Sequence, residues 1–116
     1  MSFEQFYLDP RVISGIKSVG YTTPTSIQQQ AIPIALDGRD LLGLAQTGTG
    51  KSACFILPIL HRLSGKGASG KVRALIVVPT RELAEQIHQA ARVLGKNTRV
   101  RSVSIYGGVS KAPQLA

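Results

Sequence analysis

Apolar side chains recur at Val12, Ile13, Ile16 and Val19, a spacing that gathers them on one face of a helix. Asp9 is suited to cap the start of that helix, Pro10 to sit in its first turn and Gly20 to stop it. A second helix is predicted to run from Thr25 to Asp37-Gly38, with Pro33 as a kink. Asp40-Leu41-Leu42-Gly43-Leu44-Ala45 reads as a short buried strand, followed by a Gly-rich turn and an apolar helix reaching about Leu63. Ser64-Gly65-Lys66-Gly67-Ala68-Ser69-Gly70 reads as a surface loop. A buried strand, Ala74-Leu75-Ile76-Val77-Val78, precedes a helix that should bury Leu83, Ile87, Ala90, Ala91 and Leu94 and end at Gly95. Alternation from Arg99 to Tyr106 predicts a third strand closing on Gly107-Gly108. Strands that alternate with helices imply right-handed crossovers, hence a three-layer α/β architecture with a parallel sheet.

Composition changes this picture little. A chain of 116 residues with 43% hydrophobic side chains forms one small domain. There is no run of about 20 apolar residues to span a membrane, and Met1-Ser2-Phe3-Glu4-Gln5 lacks the regions of a secretory signal. The single cysteine, Cys54, sits in the run Ala53-Cys54-Phe55-Ile56-Leu57 and reads as a small buried hydrophobe. Together these features predict a cytoplasmic protein.

Charge is more informative once it is located. Arg11, Lys17, Arg39 and Lys51 balance Glu4, Asp9, Asp37 and Asp40 in the first 60 residues. The whole net charge of +8 therefore lies beyond them, where it favours a polyanion such as nucleic acid. A solvated basic surface is the alternative.

Ala45-Gln46-Thr47-Gly48-Thr49-Gly50-Lys51-Ser52 joins the first predicted strand to a helix. It is close to the phosphate-binding P-loop, with alanine in place of the first glycine. Gly48 and Gly50 let main-chain N–H groups converge on an anion, and Lys51 supplies a point charge for the β and γ phosphates. The Ser52 hydroxyl suits Mg²⁺, and the helix N-terminus adds partial positive charge. A plain strand-to-helix turn is the alternative.

The segment Gly20-Tyr21-Thr22-Thr23-Pro24-Thr25-Ser26-Ile27-Gln28-Gln29 admits two readings. Locally, Thr25 and Gln28 form the pattern of a capping box. The same residues, with Phe3 upstream, resemble the Q motif of the DEAD-box RNA helicases, which spans residues 3–29 here with Tyr21 for the usual phenylalanine. Residues 45–52 are similar to that family's motif I, including its alanine, with Ser52 for threonine. Pro79-Thr80-Arg81-Glu82-Leu83-Ala84-Glu85-Gln86-Ile87 resembles motif Ia, and Tyr106-Gly107-Gly108 resembles the following GG motif.

The resemblance implies roles for particular residues. Gln28 would bond the adenine edge, where an amide offers both a donor and an acceptor. Tyr21 would pack on the ring face with Phe3 behind it, and Thr23 would add a main-chain contact. Thr47, Gly48, Thr49, Gly50, Lys51 and Ser52 would hold the phosphates of ATP or ADP, with Lys51 as the catalytic group and Ser52 on Mg²⁺. Pro79, Thr80, Arg81, Gly107 and Gly108 would hold the RNA backbone, with little sequence preference. Locally, Thr80 is also a helix cap and Gly107-Gly108 a turn. Glu82 and Glu85 read as first-turn acids, and His61 and His88 as surface residues.

The resemblance also implies the front portion of a first RecA-like P-loop domain. Residues 1–116 contain no Asp-Glu-Ala-Asp, no Ser-Ala-Thr and no second RecA-like domain. The implied parent is an ATP-dependent RNA helicase, whereas these residues alone are expected to bind without hydrolysing ATP or unwinding RNA. Lacking a central strand, they are also expected to self-associate through open sheet edges. A binding module without turnover, or a P-loop DNA helicase, are the rival readings.

Overall fold

The computed structural model describes residues 2–42, 51–64 and 72–105. A 3-10 turn, Phe3–Phe6, leads into four helices: α1 (Pro10–Ser18), α2 (Ser26–Leu36), α3 (Lys51–Ser64) and α4 (Arg81–Leu94). Three of them, α1, α2 and α4, begin and end on the local chemistry predicted for them. The Asp9 carboxylate accepts from the Arg11 N–H at the start of α1. Thr25 caps α2, and Thr80 caps α4 by accepting from the Leu83 N–H at 3.1 Å. Past α1 and α2 the chain turns at Gly20 and Gly38, both at φ +79°. There the N–H groups of Tyr21 and Arg39 reach back to the carbonyls of Ile16 and Ile34, the Schellman arrangement that a glycine past the helix end permits. Pro33 is accommodated within α2.

Helix α3 is the centre of the molecule, packing against α1, α2 and α4. Its Ile56 and Leu57 meet Val12 and Ile16 of α1 and Ile32 of α2 in a core from which water is essentially excluded. Cys54 is buried there, as its apolar neighbours predict, and burial pushes its thiol pKa up. Ile87 and Leu94 of α4 enter the same core, while Leu83, Ala90 and Ala91 pack half-buried at its margin.

Two long-range contacts tie the helices together. The Asp9 N–H donates to Nδ1 of His61 at 2.9 Å, joining the start of α1 to α3 across 52 positions. Asn97 donates to the Ser14 hydroxyl at 2.8 Å, joining the end of α4 to α1. His61 is therefore not the bare surface residue its sequence suggests. His88 lies at the surface, its Nδ1 2.8 Å from the Ser102 hydroxyl in an exposed contact. Ser104 donates to Glu85 at 2.6 Å, so alternate serines fasten the segment after α4 to that helix.

The expected sheet is where the structure departs from the sequence pattern. Among the described residues no strand is formed: residues 40–42, 72–78 and 101–105 make no ladder. Val72, Leu75 and Val77 are more than four-fifths exposed. The physical reason is that a strand exists only through cross-strand hydrogen bonds. These segments find no neighbouring strand among the described residues, and half of the first expected strand lies outside them. The composition of residues 74–78 nevertheless remains that of a strand buried on both faces.

Candidate nucleotide site and RNA-facing edge

Phe3, in the 3-10 turn, is buried and lies edge-on to Phe6 at a centroid distance of 6.1 Å. Its other neighbour is Tyr21, stacked at 6.2 Å with an interplanar angle of 22°. Tyr21 directly follows the turn that ends α1 and is about half exposed. One ring face is thus backed by Phe3 while much of the side chain remains accessible, a suitable platform for a flat heterocycle.

Four residues on, the capping box is formed. The Thr25 N–H donates to Oε1 of Gln28 at 2.9 Å, and the Gln28 N–H reaches the Thr25 hydroxyl at 3.4 Å. Gln28 is 3% exposed, and exchanging its amide oxygen and nitrogen would leave the Thr25 N–H facing a donor. The local reading of this segment is therefore realised in the structure. Gln29, which the sequence did not single out, donates from Nε2 to the Pro24 carbonyl at 3.0 Å. Its only signal in the sequence is its place beside Gln28 in the first turn of α2. Pro24 is buried, whereas Thr23 is exposed.

Lys51 and Ser52 open α3, Lys51 exposed and Ser52 half-buried. Their side chains stand at a helix N-terminus, where unpaired N–H groups and the dipole favour an anion. Thr47, Gly48, Thr49 and Gly50 lie outside the described residues, as do Gly107 and Gly108. Pro79, Thr80 and Arg81 are exposed where α4 begins. The Thr80 hydroxyl is engaged as the helix cap. Arg81 makes no ion pair among the described residues, so a cation stands where the dipole disfavours it. Two open clefts, of about 230 and 510 Å³, flank the C-terminal end of α2 and include none of these residues.

The family model for the DEAD/DEAH box helicases matches residues 25–116. The chain belongs to that family. Among curated proteins it is 42% identical over 113 residues to the ATP-dependent RNA helicase CshA of Listeria monocytogenes, covering 97% of this chain and 21% of CshA. Among solved structures it is similar to the RNA helicase Prp28 of Chaetomium thermophilum bound to ADP. That match has a TM-score of 0.86 and 44% identity, over 98% of this chain and 28% of Prp28. Similarity extends to S. cerevisiae Dbp5 bound to RNA and ADP BeF3, with a TM-score of 0.81 and 32% identity over 92% of this chain and 29% of Dbp5. The trace thus follows the RecA-like domain of this helicase family. The chain spans about a fifth of the length of a curated relative such as CshA.

Proposed function

We propose that the protein is an ATP-dependent RNA helicase in which these residues form the adenine- and phosphate-binding part of a first RecA-like domain. The observation that carries the reading is the Phe3–Tyr21 stack beside the turn closed by Gln28. It joins an aromatic platform to a rigidly oriented amide, the two components needed to read a base by its face and its edge. Thr23 adds a main-chain contact. Residues 47–50, with Lys51 and Ser52 at the head of α3, receive the phosphates.

Mg²⁺ fits this donor set as an ion held mainly by phosphate oxygens and water. Among the described residues no group of three or more His, Cys, Asp or Glu could cage a metal, and magnesium at nucleotide sites needs few protein ligands. Ser52 is the residue that would hold it. When bound, the ion neutralises phosphate charge.

Arg81 at the start of α4, with Pro79, Thr80, Gly107 and Gly108, receives the RNA backbone. Its exposed guanidinium, in no ion pair among the described residues, supports that role, and such contacts carry little base specificity. The apolar segments 40–45, 74–78 and 99–106 pair as a parallel sheet in the assembled domain, which faces a second RecA-like domain. Until covered, their exposed side chains promote self-association.

Calorimetric titration with Mg·ADP and Mg·GDP tests the site. Gln28→Glu is the informative variant, because a glutamate preserves the capping box while losing the amide donor. Selective ADP binding that the variant loses supports the reading. Equal binding of both nucleotides, unchanged in the variant, confines Gln28 to capping and overturns it. Binding of an RNA single strand in preference to its DNA counterpart tests the RNA assignment.

A further inference from the structure

The peptide unit between Pro24 and Thr25 is held at both of its polar ends by consecutive side chains. Its N–H donates to Oε1 of Gln28 at 2.9 Å. Its carbonyl accepts from Nε2 of Gln29 at 3.0 Å. A peptide group is planar, so fixing its donor and its acceptor fixes the orientation of the whole plane. Only the first of these bonds belongs to the capping box, which needs one acid or amide at the third helical position. The second is made by the fourth residue of α2, reaching back five positions to a carbonyl outside the helix. A helix entry does not require it.

What the plane orients is the short turn that begins at Tyr21. Tyr21 is anchored at one end by its N–H to the Ile16 carbonyl and by its ring against Phe3. Pro24, buried, is the anchor at the other end. Thr22 and Thr23 are exposed between them. Rotation about the Pro24–Thr25 plane would move the main chain of Thr23 relative to the Tyr21 ring.

We propose that Gln29 is a positioning residue for base recognition, clamping the Pro24–Thr25 plane together with Gln28 so that the Thr23 main chain and the Tyr21 ring keep a fixed relation to the base. This rests on the reading of Tyr21, Thr23 and Gln28 as the adenine site. Gln29 itself does not touch the nucleotide; it acts through the Pro24 carbonyl.

The discriminating variant is Gln29→Glu. It keeps the shape of the side chain, removes the donor, and places a carboxylate in the first turns of α2, where the dipole favours it. Mg·ADP and Mg·pyrophosphate are titrated into the 116-residue wild-type chain, Gln29→Glu and Gln28→Glu, with thermal melts of each. The expected result is a Kd for Mg·ADP raised about three- to tenfold in Gln29→Glu, the effect of one neutral hydrogen bond. Mg·pyrophosphate affinity is expected to hold, and the melting temperature to fall by no more than the loss of this one hydrogen bond accounts for. Unchanged ADP affinity in Gln29→Glu, with loss in Gln28→Glu, overturns the role of Gln29 and leaves the adenine site standing. Parallel loss of ADP and pyrophosphate binding reduces Gln29 to general support of the fold and also overturns the proposal. Unchanged ADP affinity in both variants overturns the adenine site and this inference together.

Discussion

Replacing Gly15 by alanine sets two opposing effects against each other. Gly15 lies in the interior of α1, where alanine is favoured over glycine by about 0.5–1 kcal/mol on backbone entropy. Against that, a Cβ on Gly15 would stand 1.9 Å from the Leu94 carbonyl oxygen, 2.7 Å from its carbon and 3.2 Å from its Cα. All three are main-chain atoms at the end of α4, so no side chain can swing aside. The helices would have to part by about 1 Å, which forfeits a quarter to a half of the dispersion attraction across the contact. The Asn97–Ser14 hydrogen bond at 2.8 Å spans the same junction and would stretch with it. Overpacking of this kind costs about 1–3 kcal/mol, and a clash between two backbones belongs at the upper end. The net expectation for Gly15→Ala is destabilisation by about 2 kcal/mol. Urea unfolding followed by far-ultraviolet circular dichroism measures it as a lower midpoint with an unchanged slope. A variant more stable than wild type by about 1 kcal/mol, as at an open helical site, would refute the close approach of α1 and α4.

Three further perturbations probe the same framework. The Asp9 carboxyl is held below its ordinary value of 3.8, chiefly by the Arg11 side-chain hydrogen bonds and then by the Arg11 N–H. A depressed carboxylate pKa contributes stability above the unfolded value and loses it as pH falls through the folded one. Acid melts should therefore show an additional loss below about pH 4 in wild type that is absent in Asp9→Asn; identical acid limbs would contradict this. His61→Leu leaves the Asp9 N–H without its acceptor and should cost about 1 kcal/mol. His61→Asn, which offers an oxygen near the place of Nδ1, should recover most of that cost, and equal melts for the two variants would remove the bond from consideration. Tyr7 adopts φ 55° and ψ 41° while 88% exposed. Tyr7→Gly should gain up to about 1 kcal/mol, because relief of the left-handed conformation outweighs the added freedom of glycine. A loss on denaturant unfolding would show that the tyrosine ring contributes contacts that outweigh this strain.

The helices were legible in the sequence because their determinants are local. Asp9 and Pro10, Thr25 and Gln28, Thr80, and the stops at Gly20, Gly38 and Gly95 act within a turn or two of their own positions. The same holds for motifs carried by contiguous residues. The resemblance over residues 3–29, 45–52 and 79–87 led to the family that the comparison then established. Tertiary structure decided what depends on residues far apart in the chain. Which face Phe3 offers Tyr21, which nitrogen of His61 meets Asp9, and why position 15 cannot carry a Cβ follow only when distant segments pack. The sheet marks the same boundary. The apolar runs specify the capacity for strands, but a ladder needs a partner for every N–H and carbonyl, and only the assembled chain can provide one.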